Sequence, residues 1–444
     1  MTEIMEYNRR NVLSTYDAIG DQLEKRNDEN IEKYRKGKMT FHFAPGQHKI
    51  VLKQKSHAFR FGSTGFMLGS FECDEKEVTF REKFTRIFNQ AVVPFYWKNL
   101  EPEEGRLRFT EDSPKLYRRP APDVVLRFCR EYGIEPKGHC LAWHAALPDW
   151  LEKYTPDERK VILERRFREI SERYADIIPS FDVVNESASH YPIGVKKLFE
   201  NYDEYALELG QKYFPNNRKI INETNEGIWY SYNCAGKYMP FNMQLRDFAR
   251  RGLPFDEIGI QYHIFAREEE LKKGPSTHIE NHFNAFLNAE EMLGVLDLMD
   301  SFDRPMHISE ITIPSYWGGD AVKEDAQAAL TDILYRTWFA TPNMKSIVWW
   351  NLVDGYAAGA PQGTGEGENR YGGGLLRYDM SEKPAYRVID ELINKTWRTG
   401  YDGICGEELS LRGFYGDYEI TVEDETGKRT SEFSFKKDGE EIII

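Results

Sequence analysis

Cysteine is scarce in this 444-residue chain: five residues, Cys73, Cys129, Cys140, Cys234 and Cys405, an odd number, widely spread and without a C-x-x-C pair. That pattern offers no disulfide framework and fits a reduced, cytoplasmic setting. Long apolar runs are missing too. The longest, such as Ile347–Val353, are strand-sized, far short of the roughly 18 residues that cross a bilayer. The N-terminal stretch MTEIMEYNRRNVLS carries charges where a signal peptide has its apolar core, so neither export nor membrane attachment is expected. Positive charge is in deficit, with 59 Lys and Arg against 73 Asp and Glu and a net charge of −14. Nucleic acid and anionic membranes therefore have no general electrostatic support as partners, and a neutral or cationic substrate is expected. Gly and Pro number only 34 and 20 while 40% of residues are hydrophobic, which excludes wholesale disorder and marks a globular protein.

What is present has a rhythm. Residues 3–36 carry apolar side chains at helical intervals, predicting an N-terminal helical segment. Met39–Lys53 then alternates around Pro45-Gly46, predicting a hairpin, and from Glu407 onward short β-rich runs are separated by Gly- and Asp-containing turns. A two-stranded hairpin is marginal alone, so the strands of both termini are expected to join in one small β-sandwich. Between them eight short apolar runs recur, at His57–Gly65, Ala91–Trp97, Glu135–Ala142, Phe181–Val184, Lys219–Asn222, Glu257–Tyr262, Pro305–Ile311 and Ser346–Leu352, mostly separated by helical patterns. Alternating strand and helix over eight units predicts a (β/α)8 TIM barrel with its active site at the C-terminal strand ends. A doubly wound sheet would need a Gly-rich fingerprint after an early strand, and FGSTGFMLG lacks G-x-G-x-x-G. The expected division is 1–56 (N-terminal helix and sandwich strands), 57–399 (barrel) and 400–444 (the remaining sandwich strands).

If chemistry sits at strand ends, those ends can be read directly. The fourth run closes Asp182-Val183-Val184-Asn185-Glu186 and the seventh His307-Ile308-Ser309-Glu310. One rim glutamate says little, since Asn-Glu also stands at 222–223 and 225–226. Two carboxyls from nearly opposite strands say more, because glycosidic hydrolysis needs one protonated and one ionised carboxyl across the scissile bond. Gln261 and His263, two apart on the sixth strand, face one way; His139 ends the third strand and Trp349 the eighth. Aromatic rings beside hydrogen-bonding groups suit a sugar.

These residues resemble glycoside hydrolase family 10, the endo-β-1,4-xylanase family, over roughly 57–395. Gly138–His144 is similar to G-H-T-L-x-W-H, Asp182–Glu186 to D-V-V-N-E, Ile221–Asn225 to I-N-D-Y-N, Gly259–His263 to G-I-x-x-Q-x-H and Ile308–Ile311 to I-T-E-L. Val348-Trp349 followed by Asp354 and Tyr356 resembles V-W-G-x-x-D-x-Y; Leu375-Leu376 and Lys383–Tyr386 resemble the closing L-L-F-D and K-P-A-Y. The resemblance implies Glu186 as general acid/base and Glu310 as nucleophile of a retaining double displacement. It also implies substrate contacts from His139, Trp143, Asn185 (to the 2-hydroxyl), Gln261, His263 (orienting Glu310) and Trp349. Two segments depart. Where the family has E-N-x-M-K-W, Val92, Val93 and Tyr96 take the places of Glu, Asn and Lys, and Ala357-Ala358 stands where K-Y-S-W brings a second Trp. Contacts to the non-reducing-end sugar are therefore rebuilt, with Tyr96 facing it.

Neither metal nor cofactor is required. His139, His144, His263 and His307 lack metal-ligand spacing; His307 is expected between strand and helix as a satisfied core histidine, and Trp350, adjacent to Trp349, as core packing. Since strand neighbours face opposite sides, a bulge or strand end must intervene for Asn185 and Glu186 to share the site. The substrate implied is an oligosaccharide or aryl β-glycoside. The competing readings are a non-catalytic carbohydrate-binding protein on a hydrolase scaffold and a metal-dependent barrel hydrolase.

Overall fold

The computed structural model describes residues 6–271 and 286–444; residues 1–5 of the N-terminal segment lie outside it. In chain order the strands are β1 (Lys36–His42), β2 (His48–His57), β3 (Arg60–Thr64), β4 (Gln90–Pro94), β5 (Glu135–Ala142), β6 (Ser180–Asn185), β7 (Arg218–Glu223), β8 (Glu257–His263), β9 (Met306–Thr312), β10 (Met344–Trp349), β11 (Gly400–Cys405), β12 (Glu408–Phe414), β13 (Gly416–Asp424), β14 (Gly427–Phe435) and β15 (Glu440–Ile443). Strands β3 to β10 close in sequence order into a parallel barrel, β10 pairing with β3. All eight apolar runs are barrel strands, and the TIM-barrel expectation holds.

Helices cover the barrel because their apolar stripes need a partner. The helix Ala321–Ala340 is buried along most of its length, since the N-terminal helix Gly20–Tyr34 lies over it, with Leu23, Asn27 and Ile31 buried and Asn27 Nδ2 3.4 Å from Thr337 Oγ1.

Both termini build β-sheets, but the hairpin expected over Met39–Lys53 does not form. Strand β1 pairs with β12 and β15 in a three-stranded sheet, and β2 with β11 and β13 in a four-stranded sheet that β14 completes. The alternation does mark two half-buried strands; their apolar faces meet across the sandwich instead of sharing one sheet. Met39 and Phe41 of β1 and Ile50 and Leu52 of β2 pack with Tyr418, Ile420 and Val422 in a core of their own. Against the barrel, Trp397 stacks on Phe339 with centroids 4.1 Å apart, and Phe414 lies 6.1 Å from the same ring.

Candidate active site

Two backbone devices bring Asn185 and Glu186 to one place. Strand β6 slips register against β7 between Asp182 and Val184, and Glu186 takes a left-handed conformation, φ 55° and ψ 42°, which a non-glycine residue adopts at some cost. Its N–H donates to the Asn222 carbonyl at 2.8 Å. The strand therefore ends where alternation would have turned the carboxyl outward.

Each carboxyl has its own donors. Gln261 Nε2 donates to Glu186 Oε1 and Trp143 Nε1 to Oε2, both at 2.9 Å. Asn222 Nδ2 donates to Glu310 Oε1 at 2.9 Å, and His263 Nε2 lies 3.1 Å from Oε2. Asn222 also donates to Asn185 Oδ1 at 2.8 Å and accepts from the Ser309 hydroxyl, so one amide spans three strands. His263 Nδ1 is 2.9 Å from the Thr312 hydroxyl. Burial lowers the His263 pKa to about 4, so the ring is neutral near pH 7; accepting from Thr312 at Nδ1, it donates Nε2–H to Glu310. His139 Nε2 stands 3.9 Å from Glu310 Oε1, its Nδ1 2.8 Å from Asp182, and Lys137 Nζ is 2.9 Å from that carboxylate. Burial works to raise Asp182, but Lys137 and His139 outweigh it and hold the pKa below the usual carboxylate range.

Burial is also the leading influence on the two glutamates. It raises Glu186 to about 6, helped by the charge of Glu310 and opposed by the Gln261 and Trp143 bonds. Glu310 is raised to about 7, again by burial first, with His139 opposing. The two therefore titrate as a coupled pair near neutrality. A third carboxyl, Glu223 at the end of β7, accepts from Ala188 N at 2.8 Å, Thr224 N at 3.1 Å and the Ser189 hydroxyl. It pins the start of the helix that follows Glu186.

Of the aromatic expectations, Trp143 and Tyr96 face the site, Tyr96 lying 5.3 Å from the His139 ring and 5.6 Å from Trp143. Trp349 does not. It is fully buried on the outer face, its Nε1 donating to Gly373 O at 2.8 Å and its ring 6.4 Å from Tyr335 on the helix Ala321–Ala340. Trp350, expected as packing, takes its place, with centroids 5.8 Å from both His139 and His263 and 5.4 Å from Phe66. Counting back four residues from Asp354 in V-W-G-x-x-D reaches Trp350; that spacing was the signal. Asn222 is not among the residues expected at the site, although it lies in the segment Ile221–Asn225 that resembles I-N-D-Y-N, and that segment is its signal. Val92 joins Phe66, Tyr96, Val348 and Trp350 in a separate apolar cluster, whereas Val93 points away into the main core. His307 is buried, but inside the barrel, Nε2 2.6 Å from Glu257 of the adjacent strand, a carboxylate that also feels Arg218 and Arg60.

Opposed carboxyls at the ends of β6 and β9, in a cleft of indoles, imidazoles and amides, define a barrel of the glycoside hydrolase class. The family model for glycosyl hydrolase family 10 matches residues 58–391. The chain is 26% identical over 295 residues to an endo-1,4-beta-xylanase/feruloyl esterase of Xylanibacter ruminicola, covering 60% of this chain and 38% of that protein. It is 22% identical over 375 residues to the anti-sigma-I factor RsgI6 of Acetivibrio thermocellus, covering 83% and 41%. The fold is similar to that of native xylanase 10B from Thermotoga maritima, with TM-score 0.57, 22% identity, and 76% and 96% of the two chains covered. The chain belongs to glycosyl hydrolase family 10. It spans about two fifths of the length of these two curated relatives. Among the described residues no helix is long and apolar enough to cross a membrane.

Proposed function

We propose that this protein is a retaining β-glycoside hydrolase that cleaves β-1,4-xylosidic bonds in xylan-derived oligosaccharides, and related aryl β-glycosides, by double displacement. The observation that carries the reading is the pair Glu186 and Glu310, each gripped by its own donors and each within the other's field. Glu310 attacks the anomeric carbon while Glu186 gives its proton to the departing oxygen; Glu186 then takes a proton from water, which displaces Glu310 and frees the sugar. The mechanism needs the pair's one proton on Glu186 at the start, against the slightly higher value of Glu310, and the hydrogen bonds favour that placement. Asn222 and His263 donate to Glu310, and His139 and Lys137 favour its charged form against Asp182, while the Glu186 oxygens accept from a neutral indole and amide and feel His190 more weakly. No cofactor enters.

The test separates the roles. Glu310→Ala should abolish turnover. Glu186→Ala should still cleave aryl glycosides with good leaving groups, which need little protonation, and should be rescued by azide. Full activity in both variants would refute the assignment. One relative is named as an anti-sigma factor and not as an enzyme, so the second reading is a non-catalytic carbohydrate-binding protein on a hydrolase barrel; oligosaccharide binding without turnover would select it.

A further inference from the structure

The wall beside Tyr96 carries a feature that bond cleavage does not use. The segment before the helix Pro122–Tyr132 ends in Arg118-Arg119. Arg118 is 1% exposed and adopts a left-handed φ of 56°. One terminal nitrogen donates to the Asn351 side chain; Nε and the other terminal nitrogen have no partner. Arg119 lies over the Tyr96 ring at 4.1 Å and Phe66 at 5.2 Å, donates Nη1 to the Arg118 carbonyl at 2.8 Å, and leaves its buried Nε unpartnered.

Other buried arginines of this chain are satisfied differently. Arg166 reaches the carbonyls of Leu141, Phe95 and Cys140, leaving only Nη1 without a partner, and Arg108 those of Pro114, Asn99 and Arg119. Those are structural ties. Arg118, equally deep, has one such tie and a second guanidinium beside it; burial and then Arg119 pull its pKa down to about 10. Among the described residues no carboxylate forms an ion pair with either group. Glu368 in the facing loop is felt by Arg118 and His263 without bridging to Arg118, and its Oε2 is itself buried without a partner. Two like charges held together at a low-dielectric wall are unfavourable alone, and an anion reverses the sign.

Building on the hydrolase reading above, we propose that Arg118 and Arg119 form a subsite for an anionic substituent, a carboxylate or a sulfate ester, on the sugar seated beside Tyr96. Planar guanidinium forks grip either group in bidentate fashion. The net charge of −14 argues against a generally anionic partner but not against one anion at a local cationic pair. The family resemblance assigns this wall to the non-reducing-end sugar, and the loss of Glu and Lys there in favour of Val92 and Tyr96 leaves the two arginines as its cationic groups.

The experiment is inhibition of aryl β-xyloside hydrolysis by three ligands: xylobiose, xylobiose carrying glucuronic acid on its non-reducing xylose, and xylobiose carrying a sulfate ester there. One charged ligand should bind about tenfold or more tighter than xylobiose, as charge-assisted bonds imply, and which one it is names the source of the anion. Arg119→Gln and Arg118→Gln, checked for an unchanged melting transition, should remove the preference; Arg119→Lys should keep part of it. Charged ligands no tighter than xylobiose, or a preference that survives in Arg119→Gln, would overturn the subsite. If no aryl β-xyloside is cleaved at all, the hydrolase reading fails instead, and calorimetry with the same ligands still decides the arginines.

Discussion

Replacing Trp143 by Phe isolates one contribution to the proton on Glu186. The indole N–H donates to Glu186 Oε2 at 2.9 Å and, with Gln261, opposes the burial that raises this carboxyl to about 6. Phe keeps an aromatic face and deletes the donor. A hydrogen bond to an ionised group contributes about 1.5–3 kcal/mol, and about 1.36 kcal/mol corresponds to one pKa unit, so the bond alone implies a rise of about one to two units. Phe is smaller, and water entering the space would donate to the same oxygen, so a rise of about one unit is expected. The sign follows from the role: the acid must be protonated, so a higher pKa moves the basic limb of kcat/KM against pH upward. The assay is that profile on an aryl β-xyloside with a poor leaving group. An activated aryl glycoside serves as control, because its basic limb depends little on the acid. A basic limb in Trp143→Phe that stays in place or moves down would refute the reasoning.

Linkage gives a stability counterpart. The buried pair titrates above the ordinary 4.5, Glu186 at about 6 and Glu310 at about 7, so the folded pair holds extra proton in that window, and its contribution is full below about 4.5 and lost as pH rises through about 6 to 7. Glu310→Gln should therefore melt higher than the parent at pH 8, by up to about 3 kcal/mol, and match it near pH 4; the reverse order in calorimetry would contradict the burial argument. The two neighbouring tryptophans should separate cleanly. Trp350→Ala should impair turnover more than stability, whereas Trp349→Ala, emptying a core position, should cost about 3–5 kcal/mol in denaturant unfolding. With Val92 and Tyr96 in place of polar sugar contacts, short oligosaccharides should be preferred to unsubstituted polymer; efficient mid-chain cleavage of plain xylan would argue for an ordinary open cleft.

The barrel was legible because each strand is a short apolar run bounded by helical pattern, and period is a local property of sequence. Pairing is not local. Met39–Lys53 alternates as a hairpin does, yet Thr40 lies opposite Ser410 and Val51 opposite Thr421. An amphipathic strand states which face is buried, not which strand will satisfy its edge, and here the partners arrive more than 350 residues later.

The site was legible where chemistry pins a residue type to a strand end, and illegible by one residue where only alternation was available. Trp349 and Trp350 are the same residue type and are separated in sequence only by their spacing to Asp354; in the barrel they differ in the face each presents, and β10 slips register against β9 between Ile347 and Trp349. The same kind of irregularity makes the catalytic geometry possible at β6, where the slip and the left-handed Glu186 bring two successive side chains inward. Period-two counting is therefore least dependable at the rim of a barrel, where bulges re-aim side chains. Asn222 illustrates the other limit. Its amide links Asn185, Glu310 and Ser309; the segment Ile221–Asn225 marks the residue, but the bridge itself exists only once β6, β7 and β9 converge inside the closed barrel.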